Sequence, residues 1–302
     1  MRHGAPPPFE FFSERRPTAG PEGFTLTLDR VGIAIEGLDA PLAAMLKERY
    51  GPYADTGGTP PPAPALRVRF AREACDYFIE PPDAAEFNPI WLACDGTRVR
   101  YVGHQLAGWF DTTAGNGDVL LSRGVYEPEL RALENYIRCA VAWQAAERGG
   151  ALIHAASAVK DGKAYLFYGE SGAGKSTLSA VSTRARVVSD DLSLVLPRPG
   201  GGLDLVGSPF RGTYEAGAPV VGRFPLAAGF RIVQADRAEV REVRRVIAFG
   251  QLVGNLTFVA EAFRERPDLF ASIDAAFAAV PLFHLHFRKD DSYWDAIDGA
   301  GL

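Results

Sequence analysis

The first 125 residues alternate apolar and polar positions over short segments, a pattern typical of β-strands with one face buried. Residues 41–50 interrupt this pattern with helical spacing, and the turn-forming sequence 115–118 (Gly-Asn-Gly-Asp) follows it. The Pro-rich run 60–64 predicts a loop. We therefore predict a β-rich N-terminal lobe over residues 1–125. Its predicted strands include 24–28, 33–35 and 67–70.

From residue 126 onward, helical periodicity and longer apolar runs replace the alternation. Residues 127–148 place apolar side chains at helical spacing, and Gly149-Gly150 ends the run. Strands are predicted at 164–168, 186–189, 192–196 and 282–287, with a helix at 269–280. This pattern predicts an α/β domain over residues 126–302, in which strands lead into loops that bear the functional side chains.

Composition and charge exclude several classes of function. The 302 residues are 47% hydrophobic and carry a net charge of −5 without any basic block, so neither nucleic acid nor a membrane is an expected partner. No apolar stretch of about 18 residues occurs. The cysteines Cys75, Cys94 and Cys139 match neither a disulfide framework nor a zinc spacing, which favours a reducing cytoplasm. The sequence leaves a homo-oligomer open.

A glycine-rich segment provides the clearest chemical signal. Residues 169–176 fit the phosphate-binding pattern G-x-x-x-x-G-K-[ST] between a predicted strand and a predicted helix. Its glycines let successive backbone N–H groups turn toward phosphate oxygens, Lys175 neutralises the phosphates, and Ser176 ligates Mg²⁺. We predict that ATP or a similar nucleotide binds with Mg²⁺. The predicted binding residues are Gly169, Glu170, Ser171, Gly172, Ala173, Gly174, Lys175, Ser176 and Thr177.

Two acidic residues and one histidine flank this segment. Asp190 and Asp191 end the predicted strand 186–189, where one carboxylate can hold Mg²⁺ while the other accepts a proton from an attacking hydroxyl. The competing interpretation is a solvated turn. His154 precedes the loop on another apolar segment, where a histidine is more often a core residue than a functional one.

These segments together resemble the catalytic half of HPr kinase/phosphorylase, over about residues 150–235. The resemblance implies that Asp191 is the base toward a protein serine, and the acid in the reverse reaction, with His154 beside it and Lys175 on the ATP phosphates. It also implies that Glu215 joins Ser176 and Asp190 as a Mg²⁺ ligand. The nucleotide half of ATP-dependent phosphoenolpyruvate carboxykinase is similar too. The chain is shorter than that family, however, and lacks a recognisable oxaloacetate-binding or Mn²⁺-binding segment.

The predicted function is therefore an ATP-dependent kinase that phosphorylates a hydroxyl of a protein, a peptide or a small molecule. Residues 215–220 replace the Gly-rich signature that follows the corresponding Glu in HPr kinases, so HPr itself is not the expected acceptor. A nucleotide-binding sensor or scaffold without transfer is an alternative, which the paired Asp residues disfavour. An NTPase that couples hydrolysis to motion is another, disfavoured by the short spacing from Lys175 to Asp191.

Overall fold

The computed structural model describes residues 12, 14–54, 66–81, 90–214 and 217–302. The chain divides into an N-terminal unit, Met1–Gln144, and a C-terminal unit, Ala145–Leu302. The division predicted from the sequence, at residue 125, precedes helix α2 (Glu129–Ala146), whereas the observed division falls within its last turn. The predicted loop at 60–64 lies outside the described residues.

The described part of the N-terminal unit forms a seven-stranded mixed sheet in the order β1-β2-β3-β7-β6-β5-β4. Strands β2, β3 and β7 run parallel to one another, and the other pairings are antiparallel. The strands are β1 Glu22–Leu28, β2 Val31–Leu38, β3 Leu66–Arg72, β4 Trp91–Asp95, β5 Arg98–Val102, β6 Leu106–Asp111 and β7 Asn116–Leu121; helix α1 is Ala40–Ala54.

The alternation in the sequence decides which face of this sheet is buried. In β3, Leu66, Val68 and Phe70 are fully buried while the intervening Arg67 is exposed. Tyr136 of α2 packs against Gly108 of β6, where an added Cβ would lie 2.4 Å from the tyrosine ring. The predicted strands 24–28, 33–35 and 67–70 and the helix at 41–50 are confirmed with longer boundaries.

The described C-terminal unit contains an eight-stranded mixed sheet. Its strands are β8 Ala151–Lys160, β9 Lys163–Tyr168, β10 Arg186–Ser189, β11 Leu192–Pro197, β12 Leu203–Val206, β13 Arg223–Gln234, β14 Glu239–Glu242 and β15 Leu282–Phe287. Its helices are α3 Lys175–Val181, α4 Arg245–Val253, α5 Pro267–Phe277 and α6 Tyr293–Gly299, with a short 3₁₀ helix at Ala260–Arg264. The α/β class is confirmed, although few helices separate the strands.

Two strands organise this sheet. Strand β8 pairs antiparallel with β9, β10 and β11, so one long strand joins three shorter ones. Strand β13 pairs parallel with β9 and β15, so the carboxyl ends of these three strands lie at one edge of the sheet. Loops at the carboxyl ends of adjacent parallel strands are the usual place for a ligand site in such sheets.

Aromatic packing fixes this parallel part of the sheet. Phe167 of β9 stacks on Phe230 of β13 with ring centroids 5.6 Å apart, and Trp294 of α6 meets Phe167 edge-on at 5.9 Å. All three side chains are fully buried. Such pairs add stability beyond their buried area, which holds the loop after β9 on a rigid base. Within the described part of the chain, no helix is both long and apolar enough to cross a membrane.

Candidate functional site

Strand register brings the predicted site residues of the C-terminal unit together. Ala155 of β8 lies opposite Tyr168, the last residue of β9, and Ser157 lies opposite Ser189, the last residue of β10. The middle of β8, directly after His154, therefore lies beside the carboxyl ends of both β9 and β10. His154, the glycine-rich loop after β9 and the Asp pair after β10 consequently face one region, although they are distant in sequence.

The glycine-rich loop has a backbone that only glycine adopts readily. Gly172 has a φ of 79° and Gly174 a φ of 107°, both in the left-handed region. A Cβ on Gly174 would also lie 2.9 Å from Cζ of Phe287, whose ring is buried. Helix α3 starts at Lys175, directly after Gly174. The loop is therefore held in shape by local backbone conformation and by close packing against β15.

Lys175 is the central cation of this loop. Its side chain is only 7% exposed, and its ammonium donates hydrogen bonds to the carbonyl oxygens of Gly169 at 2.8 Å and Glu170 at 3.2 Å. Burial lowers the pKa of Lys175, and the nearby Asp191 carboxylate opposes that shift. The ammonium thus lies where additional negative charge would be favourable.

Asp191 and His154 lie next to each other near the loop. His154 Nε2 lies 3.6 Å from Asp191 Oδ1, and the two side chains are 42% and 28% exposed. Burial lowers the pKa of His154, and Lys175 lowers it further, while Asp191 opposes the shift. The imidazole is therefore held toward its neutral form. The 3.6 Å separation from the carboxylate oxygen is slightly longer than a hydrogen bond.

Ser189 shapes the turn that presents Asp191, a role that the sequence interpretation missed. Its hydroxyl accepts hydrogen bonds from the backbone N–H groups of Asp191 at 3.0 Å and Leu192 at 3.1 Å, and donates to Phe210 O at 2.8 Å. A serine directly before two aspartates at a strand end is a recognisable turn signal. This signal could have identified Ser189 from the sequence.

Asp190 faces a different partner from Asp191, because its buried carboxylate binds the backbone of the segment 212–214. Asp190 Oδ1 accepts a hydrogen bond from the Gly212 N–H at 2.7 Å. Its Oδ2 accepts from the N–H groups of Thr213 at 3.0 Å and Tyr214 at 3.1 Å, and from the Thr213 hydroxyl at 3.3 Å. Asp190 therefore anchors this segment to the end of β10. A Cβ on Gly212 would lie 3.1 Å from Asp190 Oδ2.

Arg211 holds the rest of the same connection between β12 and β13. Its guanidinium donates to Val188 O at 3.1 Å, Gly217 O at 3.3 Å and Ala218 O at 3.1 Å. At the base of the connection, the Gly207 N–H donates to Gly222 O at 2.9 Å. Glu215, the Mg²⁺ ligand implied by the resemblance, lies outside the described residues.

A cavity of about 470 Å³ lies where these groups meet. Asp190, Asp191 and His154 line it, and the loop contributes Ser171, Gly172, Gly174, Lys175, Ser176 and Thr177, with Gly212 and Thr213 opposite. Of the remaining predicted residues, Gly169 faces Lys175 through its carbonyl and Glu170 pairs with Arg231 at 3.3 Å. Ala173 packs against the apolar cluster of the C-terminal unit.

Three oxygen-bearing side chains on this cavity are suited to a hard cation such as Mg²⁺: Ser176, Asp190 and Asp191. The Ser176 side chain is exposed, while Asp190 already accepts four hydrogen bonds. No cluster of three or more His, Cys, Asp or Glu residues arranged for a metal occurs in the part of the chain that the structure describes. A cation here would therefore depend on oxygen atoms of the bound ligand as well.

Comparison with known proteins gives one result for this chain. A family model described as SynChlorMet cassette protein ScmC matches residues 130–300, which is more than half of the chain. The matched region includes the glycine-rich loop, His154, the Asp pair and the segment 212–214. No curated protein matches the sequence. Because the match covers most of the C-terminal unit and all of the site, the chain belongs to the family of SynChlorMet cassette protein ScmC.

Proposed function

We propose that this protein is an ATP-dependent phosphotransferase, with a C-terminal unit like that of the HPr kinases, that moves the γ-phosphoryl group of ATP to a hydroxyl. One observation carries the proposal: the Asp191 carboxylate and the His154 imidazole line the same cavity as Lys175 and Ser176. A site built only to hold a nucleotide needs the phosphate loop. A site that transfers the terminal phosphoryl group also needs a proton acceptor beside it.

The loop residues bind and orient the triphosphate in this proposal. Lys175 carries a positive charge in a poorly solvated position, so exchanging its carbonyl partners for phosphate oxygens is favourable. The left-handed glycines leave room for the phosphates, since a Cβ on Gly172 would meet no atom within 4 Å. Ser176 and Asp190 would hold Mg²⁺, which neutralises charge on the phosphate oxygens when bound.

Asp191 is the proposed base. It accepts the proton of the acceptor hydroxyl as that oxygen forms a bond to the γ-phosphorus, while the bond from the γ-phosphorus to the β,γ-bridging oxygen breaks and ADP leaves. His154, kept neutral by burial and by Lys175, can take up the proton from Asp191 after transfer. The reverse reaction would use the protonated carboxyl as the acid.

Asp190 serves positioning rather than proton transfer in this proposal, because its oxygens hold the segment 212–214 at the edge of the cavity. The acceptor is a protein, a peptide or a small molecule, and the same phosphate loop and Asp pair are compatible with a carboxykinase-like enzyme.

The cysteines Cys75, Cys94 and Cys139 are free thiols, in keeping with the reducing cytoplasm, where ATP is available.

The proposal is tested with ATP labelled on the γ-phosphate. The wild-type protein, Asp191→Asn and Lys175→Met are incubated with Mg²⁺, the labelled ATP and cell extract separated into protein and small-molecule pools. We expect Asp191→Asn to lower transfer by about 10²–10⁴-fold while Mg²⁺·ATP still stabilises the variant against heat. Lys175→Met should lose both transfer and this stabilisation.

Asp161→Asn, at an exposed turn before β9, serves as the matched control and should behave like the wild type. Transfer at the wild-type rate by Asp191→Asn would refute the role of Asp191. Binding of Mg²⁺·ATP by the wild type, with no transfer into either pool by any of the four proteins, would instead favour a nucleotide sensor.

A further inference from the structure

A second cavity of about 470 Å³ lies beside the glycine-rich loop, at the carboxyl ends of β13 and β15. It is lined by Gln234, Ala235, Asp236, Phe287, Arg288 and Lys289. Its two walls are tied together because the Ala235 N–H donates to Phe287 O at 3.0 Å. The volume is within the usual range for small-molecule sites.

Two of the residues that line this cavity contact the glycine-rich loop. The Gln234 side-chain amide donates to Gly172 O at 3.2 Å, so the last residue of β13 contacts the loop directly. Phe287, the last residue of β15, packs against Gly174. Gln234 and Phe287 thus line the cavity and contact the loop, so a ligand held by the loop lies next to the cavity.

Sheet order determines which end of a bound triphosphate faces this cavity. Strand β9, which leads into the loop, has β8 on one edge and β13 on the other. His154 and the Asp pair belong to the β8 and β10 side, so the phosphoryl group that is transferred must point that way. The other end of the triphosphate, which carries the nucleoside, then extends toward β13 and β15.

We propose that this second cavity is the nucleoside subsite, in which the ribose and base of the nucleotide contact Asp236 and Lys289. Both side chains are on exposed residues, and neither forms an ion pair or side-chain hydrogen bond within the described residues, whereas the neighbouring Arg288 pairs with Asp290 at 2.5 Å. A carboxylate accepts hydrogen bonds from ribose hydroxyls and from base N–H groups. An ammonium donates to base nitrogen and carbonyl oxygen atoms.

This inference rests on the proposed function, since it assigns the second half of the same ligand. It is tested by comparing the binding of Mg²⁺·ATP with that of Mg²⁺·tripolyphosphate, which offers the phosphates without a nucleoside. We expect the double variant Asp236→Ala/Lys289→Ala to weaken ATP binding about tenfold, equivalent to about 1.4 kcal/mol, and to leave tripolyphosphate binding unchanged. Lys175→Met should weaken both ligands.

The matched control is Lys163→Ala/Glu261→Ala, which removes one positive and one negative charge from exposed positions outside the cavity, and it should bind both ligands as the wild type does. A photoreactive azido-ATP should label peptides that contain 234–236 or 287–289. If Asp236→Ala/Lys289→Ala bound ATP normally, or if the label attached elsewhere, the assignment of the nucleoside subsite would be wrong. The assignment of the phosphate site would not be affected. If the wild type bound neither ligand, the proposed function would fail as well.

Discussion

His154 Nε2 lies 3.6 Å from Asp191 Oδ1, on a cavity that Lys175 also lines. Three ionisable groups of different type therefore share one partly buried space. Lys175 and burial both disfavour a charge on the imidazole, while Asp191 favours it. Asp191 therefore has two neighbours of different character, an ammonium and an imidazole held toward its neutral form.

The lowered pKa of His154 predicts how stability depends on pH. Because the folded protein binds a proton on His154 less readily than the unfolded chain, the stability due to the neutral imidazole is complete above about pH 6.5 and is lost as pH falls toward the lower folded pKa. Removing this group in His154→Gln should make the free energy of unfolding decline less between about pH 7.5 and about pH 5.5. Urea denaturation of the wild type and of His154→Gln at both pH values measures this decline.

Other groups titrate in this range too, so the comparison is between the wild type and His154→Gln rather than between two pH values of one protein. Identical declines in the two proteins would contradict a lowered pKa for His154. A steeper decline in the variant would mean that the imidazole gains a proton on folding, which is the opposite sign.

The hydrogen bonds of Asp190 predict that Asp190→Asn destabilises the protein. The side-chain amide of Asn would place a donor opposite the N–H groups of the segment 212–214, so at least one charge-assisted hydrogen bond is lost. We expect a cost of about 2–3 kcal/mol in the free energy of unfolding, with faster hydrogen exchange at the amides of 212–214.

Asp161→Asn provides the comparison for Asp190→Asn, because the Asp161 side chain is 86% exposed. Its effect should stay within about 0.5 kcal/mol. Unchanged exchange at 212–214 in Asp190→Asn would show that Asp190 does not anchor this segment.

Two glycine-to-alanine changes should act in opposite directions. Gly174→Ala forces a side chain into a left-handed backbone and against the Phe287 ring, with a cost of about 1–3 kcal/mol and loss of the thermal stabilisation by Mg²⁺·ATP. Gly250→Ala, inside α4, places a methyl group in open space and should stabilise by about 0.5–1 kcal/mol. Thermal denaturation with and without Mg²⁺·ATP measures both, and a Gly174→Ala protein stabilised like the wild type would count against the loop geometry.

Several features of the site could be predicted from the sequence because each is encoded locally. The pattern at 169–176 is contiguous, so the loop and its position between a strand and a helix could be recognised without any distant contact. The same holds for the strand before Asp190, which the structure confirms at Arg186–Ser189. The long strand β13 was not predicted, since its Arg223, Pro225 and Gly229 interrupt the apolar run.

The partners of Asp190 and Asp191, in contrast, could not be told apart from the local sequence pattern. Two adjacent carboxylates at a strand end are equivalent in sequence, yet successive residues leave a strand in opposite directions. The fold therefore aims Asp190 at the amides of 212–214 and Asp191 at His154. Which of the two takes which partner depends on where the connection between β12 and β13 passes.

The sequence by itself determined that residues 169–176 form a glycine-rich loop between a strand and a helix and that the chain combines sheets with helices, because periodicity and turn chemistry act over a few neighbouring residues. Only the tertiary structure decided that β8 lies between β9 and β10, which brings His154 to Asp191, and that the ends of β13 and β15 enclose a second cavity. Strand pairing joins residues far apart in the chain, and its register is chosen by packing of the whole sheet.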